Sequence, residues 1–269
     1  MSAGQESPRR RRERATPLRA HRAYRARHHP ESPANTWTED SLPALKALVE
    51  SLDADREIYA LVLTGQGPKF FSAGADLNVF ADGDKARARR MITYFGQAFE
   101  TLARFRGVSI AAINGYAMGG GLEAAMACDI RIAEEHAVMA LPEASVGLLP
   151  GGLGTQHLPW LIGEGWAKRM ILCGERIDAP TALRIGLVEE VVPAGTARDK
   201  ALALAEKVAK QSPSSVAACK QLIQAARSQP MWSALPLERE KFVDLFDTED
   251  QREGVAAFLE KRAPSWKNR

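Results

Sequence analysis

The sequence predicts an α/β fold with parallel strand pairing, and three observations carry the prediction. Short β-branched apolar runs alternate with longer segments of helical apolar spacing between about residues 40 and 140. Glycine-rich turns stand where strand patterns give way to helix patterns. Beyond about residue 163, helical patterns dominate.

The elements follow in chain order. Residues 1–33 are an Arg-rich N-terminal extension that should pack poorly: "PRRRRERATPLRAHRAYRARHHPESP" has little periodicity and is interrupted by Pro8, Pro17, Pro30 and Pro33. Leu42, Leu45, Leu48, Val49 and Leu52 then recur at helical spacing, with Thr38 or Asp40 as the cap. "IYALVLTG" reads as a buried strand ending in glycine, and "FFSAGADL" as strand, glycine turn and helix start. "MITYFGQAFETLARF" is helical, "VSIAAING" a strand and "GGLEAAMACD" a helix. "IRIAEE" and "AVMALPE" are two further short strands. The rest reads as helices: "GWAKRMILCG", "APTALRIG", "ARDKALALAEKVAKQ", "SSVAACKQLIQAARS" and "PLEREKFVDLFDTEDQREGVAAFLEKR".

Composition narrows the function classes. No apolar run approaches the about 20 residues that span a bilayer, so no membrane partner is expected. Cys128, Cys173 and Cys219 are odd in number and far apart, matching neither a disulfide framework nor a metal cluster, which points to a reducing compartment, the cytoplasm. The net charge of +3 belongs to the extension: residues 1–30 hold nine arginines and two glutamates, leaving 27 basic against 31 acidic residues elsewhere. An Arg-rich start also fits a mitochondrial transit peptide, against which Glu6 and Glu13 count. His136 and His157 are isolated and the other three histidines lie in the extension, so no metal site is expected.

The glycines of "AMGGGLEAAMACD" raise the question of what approaches the backbone there. A Walker A loop begun at Gly115 would need Lys where Gly121 stands. A dinucleotide fingerprint begun at Gly152 would need glycine at His157, and a nucleophile elbow around Ser72 would need glycine at Phe70. What remains is a strand, a turn and a helix whose first amides have no internal partner and lie at the positive end of the helix dipole. Glycines let a ligand oxygen reach such amides, as an oxyanion hole requires. "FFSAGADL" repeats the device, and two turns can each give one amide to one oxygen.

Four stretches in order, "FFSAGADL", "INGYAMGGGLEAAMACDIRIA", "LPEASVGLLPGGLGTQ" and "GERIDAPTALRIGLVEEVV", together resemble the crotonase, or enoyl-CoA hydratase/isomerase, superfamily. The resemblance runs from about Ala34 to the C-terminus. It implies a crotonase-like ββα spiral core over residues 34–200 and a C-terminal helical trimerisation region over 201–269. It further implies that the thioester oxygen of an acyl-CoA sits between the amides of Ala75 and Gly120. The Ala73 carbonyl would lie near the adenine of CoA, with Asp76 and Leu77 on the same substrate-binding turn. Asp also favours the N-cap of a helix start, so Asp76 has a structural reading as well.

The two glutamates of the family's hydratases match Glu123 and Glu143. By resemblance Glu143 gives a proton to C2 while Glu123 holds and activates the water; the pair titrates as a unit. Glu123 lies one helical turn beyond Gly120 on the same face, and could instead merely cap its helix. Asp129 and Cys128 read as structural, and Lys69 and Lys220 as solvated surface lysines, the alternative being contact with the CoA phosphates. The implied function is an enoyl-CoA hydratase with no cofactor beyond the CoA of its substrate. The implied partners are an acyl-CoA thioester and two further copies of the chain in a homotrimer or a hexamer. The alternatives are an enoyl-CoA isomerase, which needs only the Glu143-type carboxylate, and RNA binding through Arg9 to Arg12, which basic tails show without selection. Two departures stand out. Leu153 replaces a glycine of the family's "PGxGGTQ" loop, and arginine-rich sequence stands where relatives open with a β-hairpin: the hairpin is lost or replaced, or the coding start was misread.

Overall fold

Strands of two four-stranded sheets alternate along the chain in the computed structural model, which describes residues 34–269. The readings of residues 1–33, hairpin and transit peptide included, lie outside the described residues. The first sheet has the order β1 (Ala60–Thr64), β3 (Val108–Ile113), β5 (Ile130–Glu134), β8 (Glu190–Val192), all parallel. The second is β2 (Phe70–Ser72), β4 (Tyr116–Met118), β6 (Val138–Ala140), β7 (Ile177–Asp178), parallel except for its last pair. Strands β1, β3 and β5 each hand on to a second-sheet strand and then to a helix: α2 (Lys85–Ala103), α3 (Gly120–Ala127) and α4 (Gly154–Leu172). The result is a ββα unit wound three times, the α/β spiral implied by the sequence.

Period-two burial explains the layering. Ile110 and Ala112 of β3 and Ile132 of β5 face Ala197, Ala201 and Ala205 of α6 (Ala197–Val208), where small side chains four apart let helix and sheet approach closely. Ala111, Ile113 and Ala133 point the other way, into the main core with α1 (Ser41–Ala54) and α2. Within that core Phe99 meets Trp37 at 5.8 Å and Phe95 at 5.4 Å, both edge-to-face, each pair worth about 1 kcal/mol beyond its buried area. This aromatic cluster supports the functional site from beneath.

The structure refines the sequence reading. Thr38 and Ser41 hydrogen-bond each other's backbone N–H, so Thr38 rather than the Asp40 side chain closes the start of α1. Strands β4, β7 and β8, two or three residues each, are too short to show a pattern and emerge only through pairing. The stretch read as one C-terminal segment is two helices, α8 (Met231–Asp244) and α9 (Glu249–Leu259), parted by a 3-10 turn with Thr248 capping the second. Lys220, on the helix Pro213–Ala225, is no surface lysine. Its ammonium donates to Asp129 Oδ2 at 2.7 Å and to the carbonyls of Phe105 and Gly107, tying the helix to the α3–β5 turn. Asp129, which also accepts from Ser109 N and Oγ, is structural as expected.

Candidate active site

The carboxyl ends of β2, β4 and β6 lie side by side, because these strands are adjacent and parallel, and all three run out into one cleft of about 680 Å³. From β2 come Ala73, Gly74 and Ala75; from β4, Met118 to Gly120; from β6, Pro142 and Glu143. Ligands collect at the carboxyl ends of parallel strands because the chain there leaves the sheet in turns with unpaired amides.

Each of the three consecutive glycines meets a separate demand. Gly119 has φ +50°, and a Cβ there would stand 3.0 Å from Glu143 Oε1. One on Gly120 would lie 2.7 Å from the Phe95 ring, and one on Gly121 2.3 Å from the Ser72 carbonyl. The turn thus presses against the neighbouring strand, the aromatic cluster and the Glu143 carboxyl at once. Gly74, at φ +92°, does the same from the other turn: a Cβ would sit 2.7 Å from the Met118 carbonyl oxygen.

Gly120 is the first residue of α3, so its N–H has no partner within the helix. Among the described residues no carbonyl outside the regular helices and strands accepts the N–H of Gly120 or of Ala75. The two turns are braced from outside. Trp37 donates its N–H to Gly74 O and accepts from Asp76 N, and its indole Nε1 donates to Gly120 O at 3.1 Å.

Glu123 is 3% exposed, yet its carboxylate is well served. Oε1 accepts from Gly152 N at 2.8 Å and Gly154 N at 2.7 Å, both on the loop entering α4. Burial pushes its pKa up, and the loop N–H groups pull it back. The capping alternative fails, because the N-cap is Gly119 and the Glu123 side chain turns away to the loop. Glu143 opens a 3-10 turn, Glu143–Val146, rather than closing a strand. Its Oε2 is buried without a hydrogen-bond partner among the described residues. Burial first, and the nearby Glu123 charge after it, raise its pKa to about 7. Two carboxyls with one poised near neutrality are suited to divide acid and base roles.

Ala73, Ala75, Leu77, Gly120, Glu123 and Glu143 all line the cleft. Asp76 does not: its Oδ1 accepts from Asn78 N and Nδ2, capping the 3-10 turn Leu77–Phe80. What sequence reasoning missed is the grip of Gly152 and Gly154 on Glu123; the "PGGLGTQ" stretch carried the signal, noted there only for the leucine that departs from the family's loop. Also missed was the apolar wall of Phe80, Ile92, Met118, Val146 and Leu148. A second cleft, of about 580 Å³ between Trp166, Arg169 and Arg184, contains neither glutamate. Among the described residues no group of His, Cys, Asp and Glu could hold a metal ion.

Known proteins resemble the chain over most of its length. A family model described as enoyl-CoA hydratase/isomerase matches residues 28–269. The chain is 38% identical over 236 residues to the short-chain-enoyl-CoA hydratase of Clostridium acetobutylicum, covering 87% of this chain and 90% of the relative. It is 41% identical over 228 residues to the 2,3-dehydroadipyl-CoA hydratase of Escherichia coli K12, covering 84% and 88%. Among solved structures, Pseudomonas aeruginosa DspI superposes with a TM-score of 0.86 at 70% identity, over 89% of this chain and 90% of that one. An enoyl-CoA hydratase from Bacillus anthracis gives 0.84 at 37% identity, over 88% and 92%.

Proposed function

The chain belongs to the enoyl-CoA hydratase/isomerase family, and from that premise we propose that it adds water across the 2,3 double bond of an enoyl-CoA thioester. The observation that carries this reading is the opening of both carboxyls and both amide turns onto one apolar cleft. The thioester oxygen sits between Ala75 N–H and Gly120 N–H. Glu123, ionised, takes a proton from water as its oxygen bonds to C3. The electron pair of the double bond moves onto the thioester oxygen, where the two amides stabilise it by about 3 to 4 kcal/mol each. Glu143, holding its proton up to about pH 7, delivers it to C2 as the enolate collapses. One proton is taken and one given, so no cofactor beyond the substrate's CoA is called for.

Leu77, Phe80, Ile92, Val146 and Leu148 offer the acyl chain an apolar wall, and Ala73, which also lines the cleft, would turn its carbonyl to the adenine. Exposed Trp232, Phe242, Phe258 and Leu259 on α8 and α9 support a homotrimer, or a pair of trimers, assembled through these helices. Light scattering should give three or six chain masses, and Phe258→Glu should dissociate the assembly. Unpaired Cys128, Cys173 and Cys219 favour a reducing compartment, the cytoplasm.

The test is loss of the conjugated thioester absorbance over a ladder of 2-enoyl-CoA chain lengths. Consumption at one or more lengths, abolished by Glu143→Gln, is expected. Conversion of 3-enoyl substrates without hydration would make the protein an isomerase. Inertness throughout would refute the reading.

A further inference from the structure

The loop that grips Glu123 contains a residue whose backbone is out of character. Leu153 has φ +134° and ψ −11°, a region that side chains disfavour, and it stands between the two glycines that donate to the carboxylate. The flanking residues have no room to differ. A Cβ on Gly152 would lie 2.9 Å from Glu123 Oε2 and 3.0 Å from the Phe99 ring, and one on Gly154 2.7 Å from Pro150 Cβ and 2.9 Å from Glu123 Oε1. At residue 153 a glycine would adopt this backbone without cost. Leucine is there nonetheless, half-buried, with its side chain packed against the main core. Its carbonyl accepts from Gln156 N and His157 N, starting α4. A disfavoured conformation persists only where its surroundings hold it, and here the holding contact is the leucine side chain itself.

We propose that Leu153 is a positioning residue: its side chain, anchored in the core, clamps the 152–154 backbone in the one arc that delivers two N–H groups to Glu123 Oε1. The inference rests on Glu123 being the water-activating base. In that role Glu123 must be ionised and must leave Oε2 for the water. Burial opposes ionisation and the loop amides counter it in part, so whatever holds the loop bears on the pH at which the base is ready. Few other groups face Glu123. The 3-10 turn brings the Glu143 carboxyl, whose own pKa the Glu123 charge raises. Helix α2 contributes Arg89 at the cleft mouth, and His157 of α4 is turned to the Met126 carbonyl.

Leu153→Gly relieves the backbone cost but removes the anchor. The expected result is a shift of the acid limb of kcat/KM to higher pH by about one unit, as one charge-assisted hydrogen bond is loosened. A fall in kcat of about tenfold with little change in KM should accompany it. Amide hydrogen exchange at residues 152–154 should accelerate by at least tenfold, a readout independent of turnover. Leu153→Ala should behave alike, and Leu153→Met, which keeps the anchor, should restore the profile. An unmoved pH profile and unchanged loop exchange in either folded variant would overturn the proposal. So would failure of both to fold, since the leucine would then be a folding determinant. If exchange accelerates while no 2-enoyl thioester is turned over by the unaltered protein, the clamp stands and the hydratase reading falls.

Discussion

Glu143→Gln separates the cost of the site from its use. In the folded chain Glu143 holds its proton up to about pH 7, against an ordinary 4.5, because burial and the nearby Glu123 oppose its charge. A folded pKa above the unfolded one means stability that is complete below pH 4.5 and lost as pH rises through 7. Between those values the unfolded chain releases the proton and the folded chain keeps it; above 7 both are ionised, and the folded carboxylate bears the full penalty. At about 1.36 kcal/mol per pH unit the displacement gives an upper bound of about 3.4 kcal/mol, and partial exposure of the group reduces this to about 2. Glutamine carries no such penalty. The variant should therefore match the unaltered protein near pH 4.5 and exceed it by about 2 kcal/mol at pH 9, or about 4 to 8 °C in melting temperature. Its hydratase activity should fall by about 10² to 10⁴. Thermal melts of both proteins at the two pH values are the assay. An equal difference at pH 4.5 and 9 would refute the assignment of a neutral buried carboxyl.

Three further perturbations follow from the same geometry. Hydration of the preferred thioester should lose kcat/KM as pH rises through about 7, where Glu143 surrenders the proton it must deliver; a flat profile across pH 6 to 9 would contradict this role. Gly152→Ala sets a Cβ against Glu123 Oε2 and the Phe99 ring, so it should cost about 1 to 3 kcal/mol in denaturant titration and most of the activity together. Lys220→Met removes a charged donor from Asp129, which keeps its bonds from Ser109, and from two carbonyls, none of them lining the cleft. It should lower stability by about 3 kcal/mol while the surviving folded enzyme keeps its kcat, and a collapse of kcat at full stability would be the contrary result.

Much of the site was legible because its demands are local. Three glycines before Glu123 announce a backbone under close approach, and each glycine of the run meets a different neighbour too near for a Cβ. The alternation of apolar runs and helical patterns is likewise a short-range property, and the α/β spiral follows it. Asp76 belongs to the same class, its capping bond reaching only to Asn78. Lys220 was misjudged because its three acceptors lie 91 to 115 residues away in the chain.

The sequence by itself determined which groups are available: two carboxyls, two glycine-relieved turns and the strands that carry them. Only the tertiary structure decided their environment. Glu123 is held by amides 29 and 31 residues further on, and Glu143 is partly desolvated, with no partner for Oε2 among the described residues. A pKa answers to desolvation and to neighbouring charge, both set by surfaces that meet only when the chain closes. The left-handed backbone of Leu153 has the same origin, since nothing near a leucine in sequence requires it and the core that holds it does.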